Sequence, residues 1–179
     1  MDIARDLFFS HQTLAMLFSV TNKLQMKGDK YLGDLTIRQM LALPAVIHAP
    51  EGKATINYIA KQLGTTKQNA KQIVSALEKK NYVSVAPNES DKRAVSITVT
   101  PESEEAYRQC SQRTDMFIAD IFSDFSTEDL ETLWTLLNKL YSFDGSEAYS
   151  TFELVGSHTK EDMSAHHHDY VKRRTDRYE

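Results

Sequence analysis

The chain has 179 residues, 41% of them hydrophobic, which is enough to bury the core of one domain or of one domain with an appendage. Its single cysteine, Cys110, excludes an internal disulfide framework and a cysteine-based zinc finger. No run of about 18 apolar residues occurs, and the N-terminus lacks a basic region before an apolar stretch. The sequence therefore predicts a cytoplasmic protein that does not bind a membrane.

The net charge of −4 is unevenly distributed along the chain. Residues 36–100 carry nine Lys/Arg against four Asp/Glu, whereas residues 101–141 carry three against nine. Local charge governs the attraction to phosphate more than the total does. The basic segment is thus the part of the chain suited to a nucleic acid.

The N-terminal segment has the apolar spacing of a long amphipathic helix, with Ile3, Leu7, Leu14, Leu17 and Leu24 at heptad-like intervals. Two glycines, at 28 and 33, are expected to bracket its end. A second helix is predicted to start at Thr36, which has the spacing of a capping box with Gln39. Pro44 predicts a kink or an early stop in that helix.

A helix-turn-helix is predicted between residues 56 and 80. A short helix ends at Gly64, and Thr65 or Thr66 caps the next one, with Gln68 as the box partner of Thr65. Apolar residues at i, i+3, i+4 and i+7 form the buried side of this second helix. Asn81 suits the left-handed position that closes a helix.

Two β-rich runs, 82–86 and 94–100, flank a charged turn at residues 88–93. A helix that starts with polar groups, beside a hairpin tipped with arginine, is suited to duplex DNA. The helix offers donors and acceptors to base edges in the major groove, and the hairpin reaches the neighbouring backbone and minor groove.

Two further amphipathic helices follow, one capped by Thr100 with Pro101 in its first turn and one capped by Ser126. Together with the N-terminal helix they present more apolar surface than a winged helix needs for its own core. A dimer would bury this surplus, and packing onto the chain's own domain is the alternative. Residues 142–179 form a polar tail, expected to be partly disordered or a short helix.

The order and spacing of these features resemble the MarR family of winged helix-turn-helix transcription regulators over residues 3–141. The motifs that carry the resemblance are the LT-x-x-Q run (Leu35, Thr36, Gln39), the IAKQLGTTKQNAKQIVSALEKKNY core, the D-x-R hairpin tip (Asp91, Arg93) and the SITVTPE run. The sequence departs from the family pattern at Asn81, where glycine is usual, and at Pro44.

The resemblance implies a mainly α fold with a small β-hairpin wing. Its parts are an N-terminal dimerisation helix (1–35), a winged helix-turn-helix DNA-binding domain (36–100), C-terminal dimerisation helices (101–141) and the tail (142–179). It also implies a homodimer on a pseudo-palindromic operator in double-stranded DNA, usually a repressor released by a small-molecule effector. Activators occur in the family as well.

The DNA-binding candidates fall into two groups. On the second helix of the helix-turn-helix they are Thr65, Thr66, Lys67, Gln68, Asn69, Lys71 and Gln72. At the hairpin tip they are Asp91, Lys92 and Arg93. Glutamine and asparagine can pair with adenine, lysine with guanine or phosphate, and a wing arginine with a narrow minor groove, with Asp91 orienting Arg93. The alternative is that the helix residues are only a solvated helix face and that Asp91 and Arg93 are only a surface ion pair.

Other readings of the sequence are weaker. No motif demands catalysis, no cofactor is expected, and Cys110 is expected to be a buried small residue rather than a redox sensor. The histidines 166–168, with His158, Asp162 and Asp169, raise the hypothesis of a metal-responsive tail, but consecutive histidines on a helix diverge by about 100°, so no metal site is predicted. A winged-helix module that binds an acidic protein is the alternative function.

An effector site is expected near the junction of the helices, close to His11 and His48. An apolar cleft lined by Phe8, Phe9 and Phe18 would suit a small aromatic or amphipathic ligand. Packing within the core explains the same aromatic residues equally well.

Overall fold

The computed structural model describes residues 2–88, 94–145 and 170, and of residues 104, 108, 111 and 112 the backbone only. The elements follow in the order α1 (Ile3–Leu32), α2 (Ile37–Ile47), α3 (Ile56–Gln62), α4 (Lys67–Lys79), β1 (Val83–Pro87), β2 (Val95–Val99), α5 (Pro101–Ile121), α6 (Thr127–Tyr141) and a 3-10 turn, Ser142–Asp144. This is a mainly α fold with one antiparallel hairpin, as predicted.

Helix α1 ends between the two glycines, as the sequence predicts. Asp2 caps it by accepting a hydrogen bond from the backbone N–H of Arg5 at 3.1 Å, and the helix continues through Gly28 to Leu32, with Gly33 as its C-cap. A Cβ built on Gly28 would lie 2.4 Å from Cγ1 of Ile37, so this glycine allows α1 and α2 to pack closely.

Helix α2 begins with the predicted capping box. The Thr36 hydroxyl accepts from the Gln39 N–H, and the Gln39 side chain accepts from the Thr36 N–H. The Asp29 carboxylate of α1 adds a third bond, accepting from the Ile37 N–H at 2.8 Å. Pro44 does not stop the helix, which continues to Ile47, so the expected early stop did not occur.

One hydrophobic core joins α2, α3, α4, the hairpin and the end of α1. Its fully buried side chains include Leu43, Ile59 and Ile97. Helix α4 contributes three buried residues, Ala70, Val74 and Leu77, which we call the core stripe of α4. The predicted fourth member, Ile73, is half-buried at the edge of this stripe.

Helices α5 and α6 begin as the sequence predicts. Thr100 caps α5 with Pro101 in the first turn, and Ser126 caps α6 in a capping box with Asp129. The two hydrogen bonds from Ser126 lower the pKa of the Asp129 carboxyl. Helix α5 ends at Ile121, and Phe125 lies in the turn that leads to α6.

The part of the chain that the structure describes leaves an apolar face on α1 and α6 exposed. No residue of α6 is buried. The exposed large apolar side chains on these two helices are Ile3, Leu7, Phe8, Phe9, Leu14, Met16, Phe18, Val20, Met26, Trp134, Leu136, Leu137, Leu140 and Tyr141. Among the described residues, no helix combines the length and apolar character needed to cross a membrane.

Candidate nucleic-acid interface

The turn between α3 and α4 is closed by main-chain hydrogen bonds. Gly64 has a φ of 56°, and the N–H groups of Gly64 and Thr65 donate to the carbonyls of Lys61 and Ala60 at 3.2 and 2.9 Å. This is a Schellman motif, in which a left-handed glycine satisfies the last carbonyls of a helix. It fixes the angle between the two helices, and therefore the direction in which α4 points.

The first turn of α4 is held by both threonines. Thr66 is the cap and accepts from the Asn69 N–H at 3.2 Å, while the Thr65 hydroxyl accepts from the Asn69 side-chain amide at 3.2 Å. The predicted box between Thr65 and Gln68 does not form, because the third helical residue is Asn69. The Asn69 side chain is therefore already oriented in the free protein. The bond to Thr65 uses one of the two hydrogens of its amide group.

Opposite the core stripe, α4 presents polar side chains to solvent. Successive residues of a helix turn by about 100°, which places Gln68, Lys71 and Gln72 on the side away from the core. All three are exposed. Ser75 lies on the same side, one turn further on, and is half-buried. We call these four residues the outer face of α4; sequence reasoning missed Ser75, although its i+3 spacing from Gln72 would have indicated it.

The remaining helix candidates occupy different positions. Lys67 and Thr66 are exposed at the first turn, beside the outer face, where unpaired N–H groups and the helix dipole favour an anion. Thr65 is half-buried in the turn. The residues of the outer face are thus distinct from the threonines that hold the first turn of the helix.

The far end of α4 is linked to the hairpin by a second Schellman motif. Asn81 has the left-handed φ of 59°, as predicted, and the Tyr82 N–H donates to the Leu77 carbonyl at 2.9 Å. The Thr100 hydroxyl donates to the Asn81 carbonyl at 2.6 Å, so the end of β2 is attached to the same corner. Helix α4 and the hairpin are therefore joined at this corner by main-chain and side-chain hydrogen bonds.

The hairpin pairs Val83 with Val99 and Pro87 with Val95. Beyond the strands, the Asn88 N–H donates to the Ala94 carbonyl at 3.1 Å. Asp91, Lys92 and Arg93 lie outside the described residues, so their roles remain predictions. Asn88, which the sequence placed in the charged turn, is in fact only 5% exposed.

These elements together form a winged helix-turn-helix, and residues 33–94 match the model of the MarR family. The winged-helix domain of this chain belongs to the MarR family. The family and the fold predicted from the sequence are both confirmed for this domain.

Individual relatives agree with this assignment. The chain is 24% identical over 159 residues to the transcriptional activatory protein BadR of Rhodopseudomonas palustris, an alignment that covers 84% of this chain and 87% of BadR. The crystal structure of the S. aureus MepR–DNA complex superposes with a TM-score of 0.64 at 22% identity, covering 72% of this chain and 95% of MepR. Bordetella bronchiseptica BpsR, whose DNA binding is regulated by 6-hydroxynicotinic acid, superposes with a TM-score of 0.64 at 17% identity, covering 73% and 98%.

The clefts of the fold differ from the predicted effector site. Phe8, Phe9, His11 and His48 are all exposed. A cleft of about 340 Å³ lies instead between the second half of α1 and the start of α4, lined by Thr21, Leu24, Gln25, Ile37, Arg38, Leu41, Leu63, Gly64, Thr65 and Ile73. Phe18 lines a separate groove between α1 and α6.

Cys110 is a buried residue of α5, as expected, with 4% of its surface exposed. Burial raises the pKa of its thiol, which disfavours the reactive thiolate. Within residues 2–88, 94–145 and 170, no group of three or more His, Cys, Asp or Glu side chains is placed to hold a metal ion. The six tail residues of the metal hypothesis lie outside those ranges.

Proposed function

We propose that the protein binds a specific duplex DNA sequence through the outer face of α4 and the wing. The observation that carries this proposal is the outer face itself, where three exposed side chains with amide or ammonium groups project from a helix that its core stripe and two Schellman motifs hold in place. Amide side chains can bond to both the acceptor and the donor of an adenine edge, and lysine bonds to guanine or phosphate. No cofactor or catalytic residue is needed for this activity.

The same proposal includes a homodimer. The uncovered apolar face of α1 and α6 is continuous with the groove lined by Phe18 and Trp134, and a second copy would remove it from water. Two-fold symmetry would place two α4 helices in successive major grooves, about 34 Å apart. The operator would therefore be an inverted repeat. The protein would act in the cytoplasm, where it would block or assist the polymerase.

We further propose that an effector binds the cleft between α1 and α4. Its walls are apolar except for a few groups, among them the guanidinium of Arg38, whose Nε donates to Gln25 Oε1 at 3.3 Å. A small aromatic carboxylate fits this chemistry. The cleft reaches Thr65, which holds the Asn69 side chain, so an occupant can displace a residue at the start of the recognition helix.

Selection of duplexes from a random pool is expected to recover an inverted repeat. With that duplex, Gln68→Ala and Gln72→Ala should each weaken binding roughly tenfold, because an amide–adenine pair is worth about 1–3 kcal/mol. Fluorescence anisotropy titrations measure the loss. Gln12→Ala, the same change at an exposed glutamine of α1, serves as the control and should bind like the wild type.

The titration also separates the two candidate functions. A DNA-binding outer face predicts affinity that falls steeply with salt and a strong preference for the selected duplex over scrambled DNA. A module that binds an acidic protein predicts no such preference. If the selected pool has no consensus and both glutamine variants bind DNA like the wild type, the proposed function is wrong.

Benzoate, the simplest aromatic carboxylate, is the probe for the effector cleft. Millimolar benzoate is expected to change operator affinity of the wild type and to have a reduced effect on Arg38→Met, which keeps the length of the stem and removes the charge. A similar response of both proteins would show that Arg38 does not hold the carboxylate.

A further inference from the structure

Asn88 is the buried polar residue at the base of the wing. Its side-chain amide nitrogen donates to the Gly52 carbonyl at 3.2 Å and to the Ser96 hydroxyl at 2.9 Å. The Gly52 oxygen can only accept, which fixes the orientation of the amide. A buried polar group with satisfied bonds holds its neighbours in one arrangement, because breaking the bonds leaves unpaired groups away from water.

The partner segment of Asn88 is itself well defined. The Lys53 N–H donates to the Pro50 carbonyl at 2.8 Å, closing a turn in which Gly52 has a φ of 69°. This turn connects α2 to α3, the first helix of the helix-turn-helix. The bond from Asn88 to Gly52 thus joins residues 36 positions apart and connects the wing to the frame that carries α4.

A second bond attaches the hairpin to the same segment. The Ile97 N–H of β2 donates to the Ala54 carbonyl at 2.9 Å. This bond and the Thr100–Asn81 bond hold the part of the hairpin near α4. The Asn88–Gly52 bond lies nearer the tip, so it restrains the direction of the outer part of the hairpin.

From this geometry we propose that Asn88 is a positioning residue, which sets the direction in which the wing leaves the sheet and so brings the wing tip to the groove beside the one that α4 enters. The proposal rests on the proposed DNA-binding function. Asn88 does not touch DNA in this mechanism. It acts through the hairpin tip, whose predicted contact with DNA is made by Arg93.

The test compares operators that differ only in the base pairs flanking the repeat, where the wing tip reaches a minor groove. The wild type is expected to prefer A·T over G·C flanks, because a narrow A·T minor groove attracts arginine. Asn88→Asp has the same size but cannot donate to the Gly52 carbonyl when ionised. It should lose most of the flank preference and bind the best operator roughly tenfold more weakly, while preference within the repeat is kept.

A double-mutant cycle identifies the residue through which Asn88 acts. Arg93→Ala should weaken DNA binding strongly in the wild-type background. In the Asn88→Asp background the same substitution should reduce the affinity by a factor at least about fivefold smaller, because a misdirected arginine already contributes little to binding. Val46→Ala, a buried α2 change away from the hairpin, is the stability control. It should lower the melting temperature and keep the flank preference.

Each outcome decides one proposal. Flank preference retained in a folded Asn88→Asp protein, or additive effects of the two substitutions, overturns the positioning role. If the wild type itself shows no preference for the repeat over scrambled DNA, the proposed function fails instead.

Discussion

Leu137→Asp is expected to convert the protein from a dimer into a monomer and to lower its affinity for the operator by roughly a hundredfold or more. Leu137 lies on α6, is 40% exposed in the single chain and lines the groove between α1 and α6. A carboxylate at this position would be buried without a partner when a second copy covers the groove. Since two linked recognition helices bind two half-sites far more tightly than one, loss of the dimer removes most of the affinity.

Thr132→Asp is the matched control for this substitution. It adds the same charge to the same helix at an exposed position that does not line the groove between α1 and α6. Sedimentation velocity should show a dimer for the wild type and Thr132→Asp, and a monomer for Leu137→Asp. A Leu137→Asp protein that stays dimeric at micromolar concentration would mean that another surface joins the two copies.

Gly28→Ala is expected to destabilise the fold by about 1–3 kcal/mol, the reverse of the usual effect of this change inside a helix. The added Cβ would meet Ile37 Cγ1 at 2.4 Å, Ile37 Cδ1 at 2.5 Å and Phe117 Cε1 at 3.1 Å. Ile37 or the backbones of α1 and α2 must then shift, which disturbs the packing between these two helices. Urea unfolding followed by circular dichroism measures the change in the free energy of unfolding.

Removing the obstructing atoms should restore part of this loss. In Gly28→Ala/Ile37→Ala the Cγ1 and Cδ1 atoms are absent, so the double variant should be more stable than the sum of the two single effects predicts, by about 1 kcal/mol or more. Additive effects would show that the contact with Ile37 is not the source of the strain.

Features that depend on a few neighbouring residues were predictable from the sequence. The capping box at Thr36 and the helix cap at Ser126 formed as predicted, because the partners of each lie within one turn of the helix. Asn81 adopts the left-handed conformation that its position at the end of a helix predicts. The family resemblance added the winged-helix arrangement, which no local pattern specifies.

Features that depend on contacts distant in sequence were missed or misplaced. The spacing of Gly28 and Gly33 indicated where α1 ends, but nothing in it showed that Gly28 lets Ile37 approach. Asn88 was grouped with the charged turn, although its side chain is buried and donates hydrogen bonds to Gly52 and Ser96. The effector cleft was assigned to phenylalanines that the single chain leaves exposed, because their spacing does not show whether a ligand, the core or a second copy covers them.

Lys80, at the end of α4, connects this helix to the corner between α1 and α2. Its ammonium group donates to the Asp34 carbonyl and, at 3.1 Å, to Gln39 Oε1 in that corner. Arg113 of α5 donates to the Leu32 carbonyl at 3.0 Å in the same corner. We therefore expect a tilt of α1 to move the end of α4, which in the proposed dimer would change the distance between the two α4 helices.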